Sequence, residues 1–186
     1  MRRPMKTSMH RSFSSAPFAL SLALSLALIS TVVRAQLFAP TIDPDWREAP
    51  APTPPPIRTE GLIPLEMPGS QLRFGIDPAS IVIGKDGVVY YVVVAASSSG
   101  AVNGMYEGVR CATAEMKLYA RHTPGAGWMT LKESEWRPLH AQGLSRHSLL
   151  VARNGVCVGQ GANQSASQIA RDLRAGPENR FRPEAR

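Results

Sequence analysis

Residues 87–121 read GVVYYVVVAASSSGAVNGMYEGVRCATAEMKLYAR, and the way this stretch divides into extended segments decides the fold. Val88 to Ala95 is apolar on both faces, dominated by β-branched Val with Tyr90 and Tyr91 among them, which is the composition of a strand buried on both sides. It is expected at the centre of a sheet. Glu115 to Arg121 alternates, with Met116, Leu118 and Ala120 on one side and Glu115, Lys117, Tyr119 and Arg121 on the other, as a half-solvated strand does. Between them, Met105 to Cys111 sets Met105, Glu107, Val109 and Cys111 on one face and Tyr106, Gly108 and Arg110 on the other.

Working outward, Ile81 to Gly84 is a second apolar run separated from Val88 by Lys85-Asp86-Gly87, and Asp-Gly between such runs signals a hairpin. Ser97 to Gly104 forms a polar loop, and Thr123 to Gly127 a further turn that delivers Trp128 to Leu131. Trp136 to Leu139 is expected as an extended edge or a loop, because Pro138 drives its predecessor out of helical geometry. Beyond Gly143 the period changes. Ser145 to Ala152 is expected as a short helix with Leu144, Ser148 and Val151 along one side, and Ser165 to Leu173 as a second helix, capped by Ser165 and stopped at Gly176-Pro177. The expectation is an α+β domain over residues 71–175: an antiparallel sheet of four to five strands, then one or two short C-terminal helices packed on one face.

Residues 1–35 read as an address. Arg2, Arg3, Lys6 and Arg11 form a basic leader, Phe18 to Val33 is a short apolar run, and Val33-Arg34-Ala35 places small residues at cleavage positions, so cleavage is expected after Ala35 and export by the general secretory route to the periplasm. The run is too short and too rich in Ser for a comfortable span, so no stable membrane anchor is expected after cleavage. The whole chain has 21 basic and 14 acidic residues, but five of the basic ones lie in this leader, leaving 16 against 14, a net +2. The basic pI therefore says nothing of nucleic acid, which would need a basic face with stacking or base-reading residues. Residues 36–70 form a proline-rich arm, largely irregular, because prolines supply no ladder donors and favour polyproline geometry. Trp46 in that polar tether is expected to have somewhere to dock. Residues 176–186 read as a flexible basic tail.

Cys111 and Cys157 are the only cysteines. In an oxidising compartment they are expected to form a disulfide, the alternative being two buried free thiols. No metal site or cofactor is expected, since His122, His140 and His147 lie in no ligand motif, and Ser97-Ser98-Ser99-Gly100 is no nucleophile elbow. Glu107, on an apolar strand face, is the one candidate for acid chemistry, with Arg110 or Arg121 as structural partners or a histidine as a catalytic one. Tyr106, Trp128 and Trp136 could line a groove for a protein or envelope polysaccharide, with Glu107 and Arg110 nearby; ordinary core is the equal alternative for the two tryptophans. The favoured reading is a non-enzymatic envelope binding or structural module. A small hydrolase using Glu107 with a histidine is the other.

The leader, the arm with Asp45 before Trp46, Asp86-Gly87-Val88-Val89-Tyr90, Ser99 to Asn103 followed by Tyr106-Glu107-Gly108-Val109-Arg110-Cys111, Lys117 to Ala120, Gly127-Trp128, Trp136-Arg137-Pro138 and Cys157 together resemble the cryptic neisserial protein one family. The resemblance runs from about Asp43 to Leu173 and is most specific over Asn103 to Cys111. It implies a small exported periplasmic protein with no established activity, and it brings no catalytic residues. Lipid anchoring, which the family is thought to include, has no cysteine near Ala35 to act on.

Overall fold

The computed structural model describes residues 42–141 and 146–176. The leader, Ser145 and the tail beyond Gly176 lie outside the described residues. The main sheet is antiparallel and runs in chain order: β1 (Ile63–Leu65), β2 (Arg73–Ile83), β3 (Val88–Ala96), β4 (Val102–Arg110), β5 (Glu115–Thr123) and β6 (Gly127–Thr130), with β7 (Arg137–Pro138) pairing with the start of β5. This is more strands than expected, for two local reasons. Ile63 to Leu65, within the proline-rich segment, pairs with Phe74 to Ile76, and Arg137–Pro138 forms a second short edge. Both are too short and too interrupted by proline to show a period of two. Helix α1 (Arg146–Val151) runs into a wide turn at Ala152–Val156 instead of ending before Asn154, followed by the small ribbon β8 (Cys157–Val158) and β9 (Gly161–Ala162). Helix α2 (Ala166–Ala175) closes the described chain, its first turn capped by Ser165 Oγ, which accepts from Gln168 N at 3.1 Å.

β3 is the central strand, and Val88 to Ala95 are all buried. A strand buried on both faces demands two covers. The helices supply one, with Val151, Val156, Ile169 and Leu173 packed over Ile76, Val89, Tyr91 and Val109. No helix covers the other face among the described residues. There the proline-rich arm lies over Val88, Tyr90, Val92, Val94, Tyr106 and Ala120, contributing Trp46, Ala51, Ile57 and Leu62. The arm has no regular secondary structure from Trp46 to Thr59, and it forms a layer of the fold.

Two irregularities set side-chain directions. In β2 the register shifts between Asp77 and Val82; Ser80 Oγ accepts from Val92 N at 2.8 Å and donates to Asp77 O at 2.6 Å, replacing ladder bonds that Pro78 cannot offer. In β5 the shift falls at Tyr119, because Tyr106 pairs with Ala120 but Glu107 with Leu118. Beyond it the alternation inverts. Ala120 joins the arm-covered face instead of the face of Met116, and Arg121 comes round beside Met105.

The Cys111–Cys157 disulfide is formed, with Cα atoms 5.6 Å apart, and joins the end of β4 to the strand that follows the helical turn.

Candidate functional site

Glu107 points from β4 into the helix-covered side, as its alternation with Val109 requires, and is 2% exposed. Three side chains close on its carboxylate. His147 Nε2 lies 2.7 Å from Oε1, Ser148 Oγ donates to Oε2 at 2.9 Å, and the Tyr91 hydroxyl donates to Oε2 at 3.2 Å. His147 also stacks on Phe74, ring centroids 5.6 Å apart. Burial pushes the Tyr91 hydroxyl well above its ordinary range, and the Glu107 charge beside it adds to the rise, so it stays protonated and donates. Neither Arg110 nor Arg121 pairs with Glu107: His147 takes that place.

The order of the groups governs what they can do. In a nucleophilic triad the histidine stands between hydroxyl and acid, so that it can take the hydroxyl proton. Here the carboxylate stands between Ser148 and His147, each of which is no more than 2% exposed. The arrangement satisfies a buried charge and fixes α1 to the sheet. Above it opens a cleft of ≈ 210 Å³ walled by Met105, Leu118 and Leu131, with Arg121, Glu133 and Glu135 among its lining.

Tyr106, Arg110, Trp128 and Trp136 do not join Glu107. They belong to the opposite, arm-covered side, and the expected aromatic groove is filled by the chain itself. Trp136 Nε1 donates to Glu48 Oε2 at 3.0 Å and Trp128 Nε1 donates to Pro55 O at 2.8 Å. Lys117 Nζ meets both Glu48 oxygens at 2.9 Å, and the Tyr119 hydroxyl donates to Oε1 at 2.8 Å. Trp46 Nε1 donates to Asp86 O at 2.9 Å, while the Arg110 guanidinium lies 3.7 Å from the Trp46 ring centroid. Burial raises the Glu48 pKa, but the bonds from Lys117, Tyr119 and Trp136 and the Lys117 charge outweigh it, and the carboxyl is held below its usual range. Burial and the nearby Asp86 push Tyr90 up to about 12.

Residues 41–174 match the family model described as the CNP1-like family. The chain belongs to the CNP1-like family. No curated protein and no solved structure matches it.

Two sets of residues in this CNP1-like chain escape a reading of sequence. Ser148 carries a weak signal, a hydroxyl in the apolar stripe of Leu144 and Val151, whereas Tyr91 is indistinguishable from its valine neighbours. Glu48 has only its nearness to Trp46. His122 sits against Trp128, centroids 5.3 Å apart, and His140 is exposed, so His147 alone of the three candidate histidines reaches Glu107. Among the described residues no three His, Cys, Asp or Glu side chains gather into a metal site.

Proposed function

We propose that this CNP1-like chain is an exported periplasmic module that binds a protein or polysaccharide of the cell envelope, without catalysis. The observation that carries this reading is the closure of Glu107. Both oxygens of this buried carboxylate are occupied by Tyr91, His147 and Ser148, and its hydroxyl neighbour faces the acid instead of the histidine. Export is supported by the leader sequence and by a disulfide that uses both cysteines, the usual state in an oxidising compartment. The surface offered to a partner is the cleft above the cluster, whose apolar walls and mixed charges suit a polar, extended ligand.

Cell fractionation is expected to recover the chain, shortened at Ala35, in the periplasmic fraction. Capture from periplasmic extract is expected to yield a partner that is lost with Arg121→Glu. Full-length product in the cytosol, or no partner together with no response to envelope glycans, counts against the proposal.

The 2.7 Å approach of His147 to Glu107 favours one other reading, a hydrolase in which this pair works as acid and base after the cleft opens. Generic ester, amide and glycoside substrates offered to the wild type and to Glu107→Gln separate the two. Equal turnover in both excludes the hydrolase, and a loss of about 100-fold or more in the variant establishes it.

A further inference from the structure

The arm-covered face has the character of a receptor with its ligand in place. A proline-rich segment without regular secondary structure packs on a face that carries Tyr90, Tyr106, Tyr119 and Trp128, an indole N–H donates to a proline carbonyl, and a carboxylate is seated among three donors. This is how polyproline ligands are recognised between molecules: the preformed helix loses little entropy, and its unpaired carbonyls are free to accept. Among the described residues, no main-chain to main-chain bond joins Arg47–Glu60 to the sheet. The arm is held by side chains, chiefly the clasp on Glu48. It enters the domain through Thr59, Glu60 and Gly61, all exposed, with Gly61 at φ +69°. That conformation suits glycine and leaves the connection without a side chain at its bend.

Each bond of the clasp joins the arm to the domain, through Lys117 and Tyr119 on β5 and Trp136 just before β7, so each can form equally well when the arm comes from another molecule. We propose that this face accepts the arm of a second copy of the chain, so that two molecules exchange residues Ile42–Arg58 reciprocally and form a two-fold symmetric dimer. The occupant is defined by the sequence already seated there. Exchange costs no native contact and is governed by the connection alone. The tethered arm competes at an effective concentration on the order of mM, so the unaltered chain is monomeric at micromolar concentration and exchanges when crowded or when its own arm cannot reach. This inference is independent of what the cleft on the other face binds.

Deleting Thr59 and Glu60 removes up to about 7 Å of reach and is expected to convert the chain to a dimer in size-exclusion chromatography with light scattering. Adding Lys117→Ala to that deletion is expected to weaken association about tenfold or more, because Glu48 then loses its cation. A deletion variant that stays monomeric with an intact β-sheet circular dichroism spectrum overturns the proposal, as does a dimer indifferent to Lys117→Ala. A second measurement avoids the deletion: a fluorescein-labelled peptide of residues 43–60 is titrated into the Glu48→Ala chain, whose own arm is loosened. Saturable binding, weaker by about tenfold or more to the wild type with its competing arm, is the expected result. No binding to the Glu48→Ala chain refutes trans occupancy.

Discussion

Glu48 and Glu107 are both carboxylates drawn out of water and met by three side chains, yet they differ in the sign of their surroundings. Glu48 is held by Lys117 at 2.9 Å and sits at the rim of an aromatic cluster. Glu107 is held deep inside by two hydroxyls and an imidazole. Because the Glu48 pKa is depressed on folding, its contribution is fully present above the range of a free glutamate, about 4.3, and is lost as pH falls through its lower folded value. Acidification below about pH 4 is therefore expected to undock the arm before the sheet melts. Intrinsic tryptophan fluorescence reports it through Trp46 and Trp136, which meet edge to face with centroids 6.0 Å apart. Glu48→Gln should flatten that acid transition and destabilise the chain by roughly 2 kcal/mol at neutral pH; an unchanged acid transition in the variant would mean that another group controls the arm. At this scale sequence shows only half of each site. The face of Glu107 follows from strand alternation with Val109, but two of its three partners, His147 and Ser148, lie 40 and 41 residues further on, in a helix whose rotation against the sheet no local pattern specifies.

The elements that are plain in the sequence are those whose burial has one cause. β3 is continuous Val and Tyr because both of its faces are covered, and α2 repeats Ile169, Ala170 and Leu173 because one of its faces is. The elements that mislead have a local interruption. The single-residue bulge at Tyr119 leaves the alternation of Glu115 to Arg121 looking regular while exchanging the faces of its second half, since Ala120 and Arg121 are each plausible on either side. The turn after α1 is similar: Asn154-Gly155 resembles a helix stop, but the chain continues in a wide turn to Val156, and Gly155 is needed for packing instead of for termination. A Cβ there would stand 2.7 Å from Leu173 Cγ and 3.0 Å from Ile169 O, within the contact between the turn and α2. Leu173 can yield a little, but the backbone oxygen cannot. Gly155→Ala is therefore expected to cost about 1–3 kcal/mol, with the urea midpoint lowered and the m-value unchanged; a neutral or stabilising result would show that α2 is free to move outward.

At the scale of the whole molecule, a sheet whose central strand needs two covers has received one from helices that follow it and one from an irregular segment that precedes it. The first cover is legible in outline from the α+β order of periods. The second is not, because a proline-rich segment has the same composition whether it is solvated or docked, and the groups that dock it, Trp128, Trp136 and Lys117, are scattered along the later chain. The two covers are also fastened differently: the arm by side-chain bonds, the helical layer by a covalent link between Cys111 and Cys157, 46 residues apart. Closing a loop of that length in the unfolded chain is worth about 4 kcal/mol on the chain-entropy account, which for a protein of this size is a drop of roughly 10 °C in the thermal midpoint on reduction. The loss should also be directional. With the link cut, α1 and the turn after it retain the Glu107 cluster, whereas β8, β9 and α2 lose their covalent tie to the sheet. Hydrogen exchange in reductant is therefore expected to quicken most over residues 157–175 and least over Val88 to Ala95, which both covers still bury. Uniform acceleration across sheet and helices would instead mean that the layers unfold as one unit and that the disulfide acts only through the unfolded chain.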